Sequence, residues 1–244
     1  MDERFEREAL IIGKEAVEKL NNARVALFGV GGVGSCAAEA LARCGVGTVD
    51  ITDNDVVSVT NINRQLCALT STVGMPKVEV VASRMRDINP AMTVNTRREF
   101  FMPDNSADFD FSLYDYVIDA IDTVAGKIEI AVKAFEADVP VISCMGAGNK
   151  LDPTAFCVTD LSKTRMCPLA RVMRRELKKR GIEHMKVVYS EEPAIKPDKA
   201  AGVTQPGKRQ TPGSIAFVPS VAGFIAAGEA VKDIIGWKNC QDRR

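Results

Sequence analysis

"RVALFGVGGVG", residues 24–34, decides how the chain folds. Arg24–Val30 is a short apolar run stopped by glycine, which predicts a strand buried on both faces of a parallel sheet. Gly29, Gly31 and Gly34 then satisfy G-x-G-x-x-G, with Gly32 inside the same turn. Ser35–Arg43 is small and alanine-rich, and predicts a helix able to pack close to that strand. In this order, strand, glycine turn and helix let a phosphate approach the backbone and the helix N-terminus. A merely tight β–α turn would carry the same glycines, so the turn points to a nucleotide without stating the chemistry.

The next strand, Thr48–Asp53, ends on an acid where a ribose hydroxyl pair would be held. Up to Asp53 an NAD enzyme and an adenine-nucleotide enzyme read alike. The continuation "NDVVSVTNINRQL" separates them by adding Asp55, Asn61, Arg64 and Gln65. Hydride transfer leaves the pyrophosphate intact and has no use for groups that stabilise charge on a reacting phosphate. Attack on a nucleoside triphosphate needs cations and a metal-binding carboxylate, because charge moves onto the leaving pyrophosphate. Arg64 and Lys77 supply the cations. Asp122, closing the strand "YDYVIDAID", supplies a carboxylate at the C-terminal sheet edge, where ligands bind in such folds. Taken singly, Arg64 and Lys77 read as solvated surface and Asp122 as the N-cap of the next helix. Taken together they favour phosphoryl chemistry over a dehydrogenase.

Outward from this centre, helices and strands alternate. Phe5–Leu20 predicts one or two short helices, Pro76–Ile88 and Lys127–Ala137 two longer ones, and "MTVNTRREF" and Val139–Met145 further strands. That alternation predicts an α/β, Rossmann-like, doubly wound and mostly parallel sheet. Beyond Gly146 the rhythm changes to short strands at Ala155–Thr159 and Lys186–Ser190 around a basic helix, Pro168–Arg180. Glu191–Pro212, rich in Pro, Lys, Gly and Gln without periodicity, predicts a mobile crossover loop. "GSIAFVPS" and a final helix return to the core. The expected organisation is one domain over 1–244, with a nucleotide-binding half, 1–148, and a substrate half, 149–244.

Composition bounds the function. With 244 residues the chain can bury a large core, and with 32 basic against 32 acidic residues its net charge is zero. A polyanionic partner must therefore meet a local patch. No apolar run is long enough to span a bilayer, and the charged start "MDERFEREAL" lacks the features of a signal peptide, so a cytoplasmic location is expected. The seven cysteines, Cys36, Cys44, Cys67, Cys144, Cys157, Cys167 and Cys240, are scattered with no C-x-x-C, which reads as buried reduced thiols and no zinc site.

D-x-D followed by N-x-x-R-Q, then "GMPK", "INP" and "DAIDT", resembles the ATP-dependent activating enzymes related to ubiquitin-activating enzyme, MoeB and ThiF. The resemblance implies homodimers that adenylate a carboxylate. It also implies that Asp122 holds magnesium and that Arg7, in "RFEREALI", reaches the ATP of the partner subunit. MoeB and ThiF types carry two C-x-x-C pairs for zinc, and many members place a thioester-forming cysteine near the late crossover loop; both features are missing here. "DLSKTRMCPLARVMRRELKKRGI" and the glycine- and alanine-rich last helix are instead similar to the TcdA branch, the tRNA threonylcarbamoyladenosine dehydratases. That branch implies ATP-dependent closure of the threonylcarbamoyl side chain on tRNA adenosine 37, through a carboxyl-adenylate. It leaves open a cysteine-desulfurase partner and a monovalent cation (sodium or potassium) ordering the region after Gly146.

The basic helix supports an RNA partner independently. Lys163–Lys186 holds nine Lys and Arg residues against two glutamates. Arg171, Arg174, Arg175, Lys178 and Lys179 fall toward one face, opposite Leu169, Val172, Met173 and Leu177. An ordinary solvated amphipathic face is the plain alternative. His184 reads as surface or an RNA contact, and Cys167 as structural. Three other readings stand beside the dehydratase: a MoeB/ThiF-type activator of a sulfur-carrier protein, a dehydrogenase, and a scaffold with a vestigial nucleotide site.

Overall fold

The computed structural model describes residues 2–196 and 212–237. Two short helices, α1 (Glu6–Ile12) and α2 (Lys14–Asn22), meet at Gly13 and lead into β1 (Arg24–Phe28). There follow α3 (Gly34–Arg43), β2 (Thr48–Thr52), α4 (Lys77–Ile88), β3 (Thr93–Arg97), β4 (Tyr116–Asp119), α5 (Val124–Glu136) and β5 (Val141–Cys144). The last elements are β6 (Phe156–Asp160), α6 (Pro168–Lys178), β7 (Lys186–Ser190) and α7 (Phe217–Ile235).

The seven strands form one sheet in the order β3-β2-β1-β4-β5-β7-β6, parallel throughout except between β6 and β7. From β1 the chain crosses to β2 on one side and later returns to β4 on the other. Their C-terminal ends therefore flank a topological switch point. The register makes those ends level: Phe28 lies beside both Thr52 and Asp119.

The two faces are covered differently. One face packs α3, α4 and α7 over an aliphatic core that includes Val25, Leu27, Val49, Ile51, Ala226 and Ala230. The approach of α7 to α3 is close: a Cβ on Gly223 would lie 2.1 Å from the Val33 carbonyl oxygen. On the other face α5 covers an aromatic cluster of Phe28, Phe101, Phe109 and Phe111, with Phe28 and Phe101 centroids 4.8 Å apart. Beside it, α6 buries Ala170, Met173 and Leu177 in a separate cluster with Val187 and Tyr189.

Several expected boundaries move. The basic helix stops at Lys178 rather than Arg180, because the chain turns at Gly181 (φ +79°) and the Ile182 N–H bonds back to the Leu177 carbonyl. Strand β4 ends at Asp119, so Asp122 lies in the connection to α5 and not on the strand. The crossover loop expected at Glu191–Pro212 lies outside the described residues, apart from 191–196 and 212.

Candidate active site

The glycine turn separates what the backbone needs from what a ligand would need. Gly29 has φ +86°, and a Cβ there would lie 2.8 Å from the Ala120 carbonyl oxygen across the switch point. A Cβ on Gly34 would fall 1.8 Å from the Gly29 carbonyl oxygen, so turn and helix could not close. At Gly32 a Cβ would lie 3.2 Å from the Pro219 ring at the start of α7. Gly31 differs: a Cβ there would meet only the Gln65 amide nitrogen, at 3.7 Å. Internal packing does not require glycine at 31, and the open space faces Gln65. Helix α3 begins here with Val33 as its N-cap and no side-chain cap; the Ser35 N–H bonds the Gly31 carbonyl at 2.9 Å, and a helix start without a side-chain cap is a general anion-binding geometry.

Asp53 is tied to this turn. Its Oδ2 accepts the Val30 N–H at 2.8 Å and its Oδ1 accepts the Asp55 N–H at 2.9 Å. Each oxygen keeps acceptor capacity for a sugar hydroxyl. Burial pushes the Asp53 carboxyl above the usual range, against those two N–H groups and Lys77, which lower it. Lys77, at the first turn of α4, is 4% exposed and pairs with Asp55 at 2.7 Å, so it is not the solvated surface residue that its sequence position alone would suggest.

Asn61, Arg64 and Gln65 occupy one tight segment. The Asn61 side chain accepts the Ser58 N–H at 3.0 Å, and its carbonyl accepts the N–H groups of Arg64 and Gln65. Gln65 is buried against the glycine turn. The Arg64 guanidinium donates to the Thr60 carbonyl at 3.0 Å and to Asn63 Oδ1 at 2.9 Å. Next along, the Cys67 thiol donates weakly to the Val30 carbonyl at 3.8 Å. Burial pushes that thiol up to about 11, so it is a neutral packing group and not a nucleophile at neutral pH.

Asp122 is exposed and is not a helix cap; Thr123 takes the N-cap position of α5 without a side-chain bond. The stem beneath Asp122 is fixed by a charge pair with both members inside the protein. Asp119 and Lys127 are 1% and 0% exposed and 2.9 Å apart. Lys127 also donates to the Ile121 carbonyl at 3.0 Å, and Asp119 accepts the Ser143 hydroxyl and the Ile121 N–H. Every polar atom of the pair is used, which is what makes a buried pair tolerable. Among the described residues no group of three or more His, Cys, Asp or Glu side chains could hold a metal ion on its own.

Gly29, Gly31, Gly32, Gly34, Asp53, Asp55, Gln65, Lys77 and the chain at Arg64 are thus linked by direct contacts, with the Asp122 stem against Gly29. Arg7 stands apart. Phe5 packs where a Gly45 side chain would be, and Glu8 bonds Cys44, so α1 sits at the far end of α3 from the glycine turn. The ten residues of α3 separate the two by about 15 Å.

On α6 and at its C-cap, Arg171, Arg175, Lys178 and Lys179 face solvent. Arg174 departs from the expected fan: half-buried, it donates to the Thr164 carbonyl at 2.6 Å and to the Thr164 hydroxyl. Glu176 pairs with Arg175 (2.9 Å) and Lys179 (3.0 Å), and Glu183 with Lys178 (3.4 Å). Arg171 has no ion pair among the described residues. Cys167 caps the helix, its sulfur accepting the Ala170 N–H at 3.5 Å, while His184 is exposed with Nδ1 3.3 Å from Asp160.

Sequence reasoning missed Asn63, the Asp119–Lys127 pair and the Pro219–Gly223 prop under the glycine turn. Lys127, at the head of the largely apolar stretch "KIEIAVKAF", and the small residues Gly223, Ala226, Ala227 and Ala230 were available signals. For Asn63 there was none, because its second partner lies 151 residues away.

Comparison with known proteins extends these observations. A tRNA threonylcarbamoyladenosine dehydratase of Bacillus subtilis is 48% identical over 240 residues, covering 95% of this chain and 94% of that protein. The crystal structure of the Escherichia coli enzyme of that name, TcdA, in complex with ATP superposes with a TM-score of 0.85 at 38% identity, covering 96% of this chain and 94% of that one. Its complex with AMP gives the same TM-score at 37% identity, covering 99% and 96%. The model of the ThiF family matches residues 5–243, and the chain belongs to that family.

Proposed function

We propose that the chain is an ATP-dependent dehydratase that closes the threonylcarbamoyl side chain of tRNA threonylcarbamoyladenosine into a ring. The observation that carries this is the assembly at the switch point, in a chain that matches dehydratases of that name along nearly its whole length. That assembly combines a glycine turn with room only at Gly31, Asp53 tied to it, and Arg64, Lys77 and Asp122 on the segments touching it.

ATP lies over the turn, its ribose on Asp53 and its phosphates toward the α3 N-terminus. Arg64 and Lys77, with Asn61 and Gln65 shaping their segment, stabilise charge that moves onto the pyrophosphate. The substrate carboxylate attacks the α-phosphorus, giving an acyl-adenylate and pyrophosphate. A nitrogen of the same side chain then attacks the activated carbonyl carbon and AMP leaves. The net change is loss of water, driven by exchanging a poor leaving group, hydroxide, for a good one. Because the nitrogen is already tethered, no cysteine intermediate is needed. The raised pKa values of Cys67 and Cys144, about 11 and about 12, fit that route.

Asp122 suits a magnesium ion that arrives with the nucleotide, since one exposed carboxylate plus phosphate oxygens is a common magnesium donor set. Bound there, the ion supplies charge neutralisation to the phosphates. A homodimer accounts for two features together: Arg7 is far from its own glycine turn, and Leu10 (87% exposed) and Ile11 (75%) lie beside it on α1. In that dimer Arg7 serves the partner's nucleotide. Arg171, Arg175, Lys178 and Lys179 form the tRNA surface, and a cytoplasmic location accords with a tRNA substrate. Among the described residues no helix is long and apolar enough to cross a membrane.

The test is mass spectrometry of nucleosides from modified tRNA incubated with protein, ATP and magnesium. Threonylcarbamoyladenosine should lose the mass of one water, with AMP and pyrophosphate released. Pyrophosphate exchange that depends on a small carrier protein rather than tRNA would instead make the chain a sulfur-carrier activator.

A further inference from the structure

Arginine side chains are long and lose rotamer entropy when fixed, so a guanidinium acting on a transition state must be held by its surroundings. Around Arg64 two groups hold the guanidinium, the Thr60 carbonyl at 3.0 Å within the same segment and the Asn63 side chain, which alone of the two ties it to a distant part of the chain. Asn63 Oδ1 accepts from Arg64 at 2.9 Å, and its amide nitrogen donates to the Ser214 carbonyl, also at 2.9 Å. The two bonds use opposite ends of one amide, so the donor at one end and the acceptor at the other fix its orientation. Ser214 is itself anchored. Its neighbour Gly213 donates to Asn149 Oδ1 at 2.6 Å and accepts the Asn149 N–H at 2.7 Å. Asn149 holds φ +58°, a left-handed conformation, and its carbonyl accepts the Ile195 N–H at 2.8 Å. A continuous hydrogen-bonded chain thus runs from the segment after β5, through Gly213 and Ser214, to the Asn63 amide and the Arg64 guanidinium.

We infer that Asn63 is a positioning residue. It sets the guanidinium of Arg64 for the departing pyrophosphate and registers that setting against residues 213–214 of the C-terminal half. The inference rests on the adenylating role of Arg64 proposed above. Asn63 touches no reacting atom; its contribution is to keep Arg64 from sampling orientations useless in the transition state.

The experiment compares Asn63→Ala, Arg64→Ala and the double variant in the full-length protein. It measures kcat for pyrophosphate release with modified tRNA, equilibrium ATP binding, and thermal melting. For Asn63→Ala we expect kcat to fall about tenfold, while the ATP dissociation constant stays within about twofold and melting is little changed. In the Arg64→Ala background the Asn63 change should have no further effect on kcat, since both remove one function. Wild-type kcat in Asn63→Ala, or full additivity in the double variant, overturns the inference. Near-wild-type kcat in Arg64→Ala overturns the adenylating role itself, which distinguishes the two failures. If Asn63→Ala melts early, Asn63→Asp keeps an acceptor for Arg64 and replaces the donor to Ser214 with a charged acceptor that cannot bond its carbonyl. Loss of kcat in Asn63→Asp without loss of ATP binding upholds the link to residues 213–214, and unchanged kcat there refutes it.

Discussion

At the switch point the charges are held by the inside of the fold: Lys127 and Asp119 are 0% and 1% exposed, and Lys77 reaches Asp55 from a position 4% exposed. On α6 the charges stand in water: Arg175 and Lys178 have side chains 69% and 72% exposed, and their glutamate partners are adjacent on the surface. The first arrangement fixes direction, as a small reacting phosphate requires. The second supplies a field without fixed geometry, which suits a long phosphate backbone read mainly through its charge. Single substitutions should therefore be severe at the switch point, whereas α6 should respond to several charges removed together.

The largest effect expected is that of Lys127→Ala. Removing one member of a fully buried pair leaves the other unpaired and costs about 3–5 kcal/mol, read by chemical denaturation. A loss below about 1 kcal/mol would mean that water reaches Asp119 and that the contrast with α6 is overstated. Next is Gly31→Ala, where a methyl group fits the protein but would occupy the space proposed for a phosphate. Overpacking by about 1–3 kcal/mol predicts ATP binding weakened about tenfold or more, with unchanged melting of the free protein. Undiminished ATP affinity would remove the phosphate from that position.

Removing Arg171, Arg175 and Lys178 together should weaken tRNA binding. It should also flatten the salt dependence by about two to three units of log–log slope, with ATP binding intact. Arg174 is left out of this set because Thr164 already holds it. An unaltered slope would move the RNA surface off α6. The smallest effect concerns Asp53, whose carboxyl pKa is raised by burial. As pH rises through the interval between the ordinary carboxylate value and this raised one, the folded free protein gives up a proton that the unfolded chain has already lost. Its stability should therefore decline across that interval. ATP affinity should rise over the same interval as Asp53 becomes the acceptor a ribose hydroxyl needs. Parallel rather than opposed trends would remove Asp53 from the ribose.

The strand–turn–helix at residues 24–43 was legible because each of its signals is local: an apolar run, glycines at fixed spacing, then small helix formers. The same holds for Asp53, Asp55, Asn61, Arg64 and Gln65, which lie within thirteen consecutive residues and are contiguous in space for that reason. Lys77 was legible as a residue but not as an environment. Its burial and its bond to Asp55 depend on how α4 returns over the end of β2. Asp122 was placed one element too early, because "YDYVIDAID" gives no sign that pairing with β1 stops at Asp119. The apolar face of α6 could be read from its periodicity, yet the turning of Arg174 onto Thr164 could not, since it needs the segment before the helix folded back.

By itself the sequence determined the fold class, the glycine turn and which polar residues lie together on the segment after β2, because these depend on spacing along the chain. Tertiary structure alone decided three further things. Strand β7 enters between β5 and β6, Gly31 is the one turn glycine with open space, and an asparagine beside Arg64 answers to a carbonyl 151 residues later. Each depends on distances between segments remote in the chain, and no local pattern of residues encodes such distances.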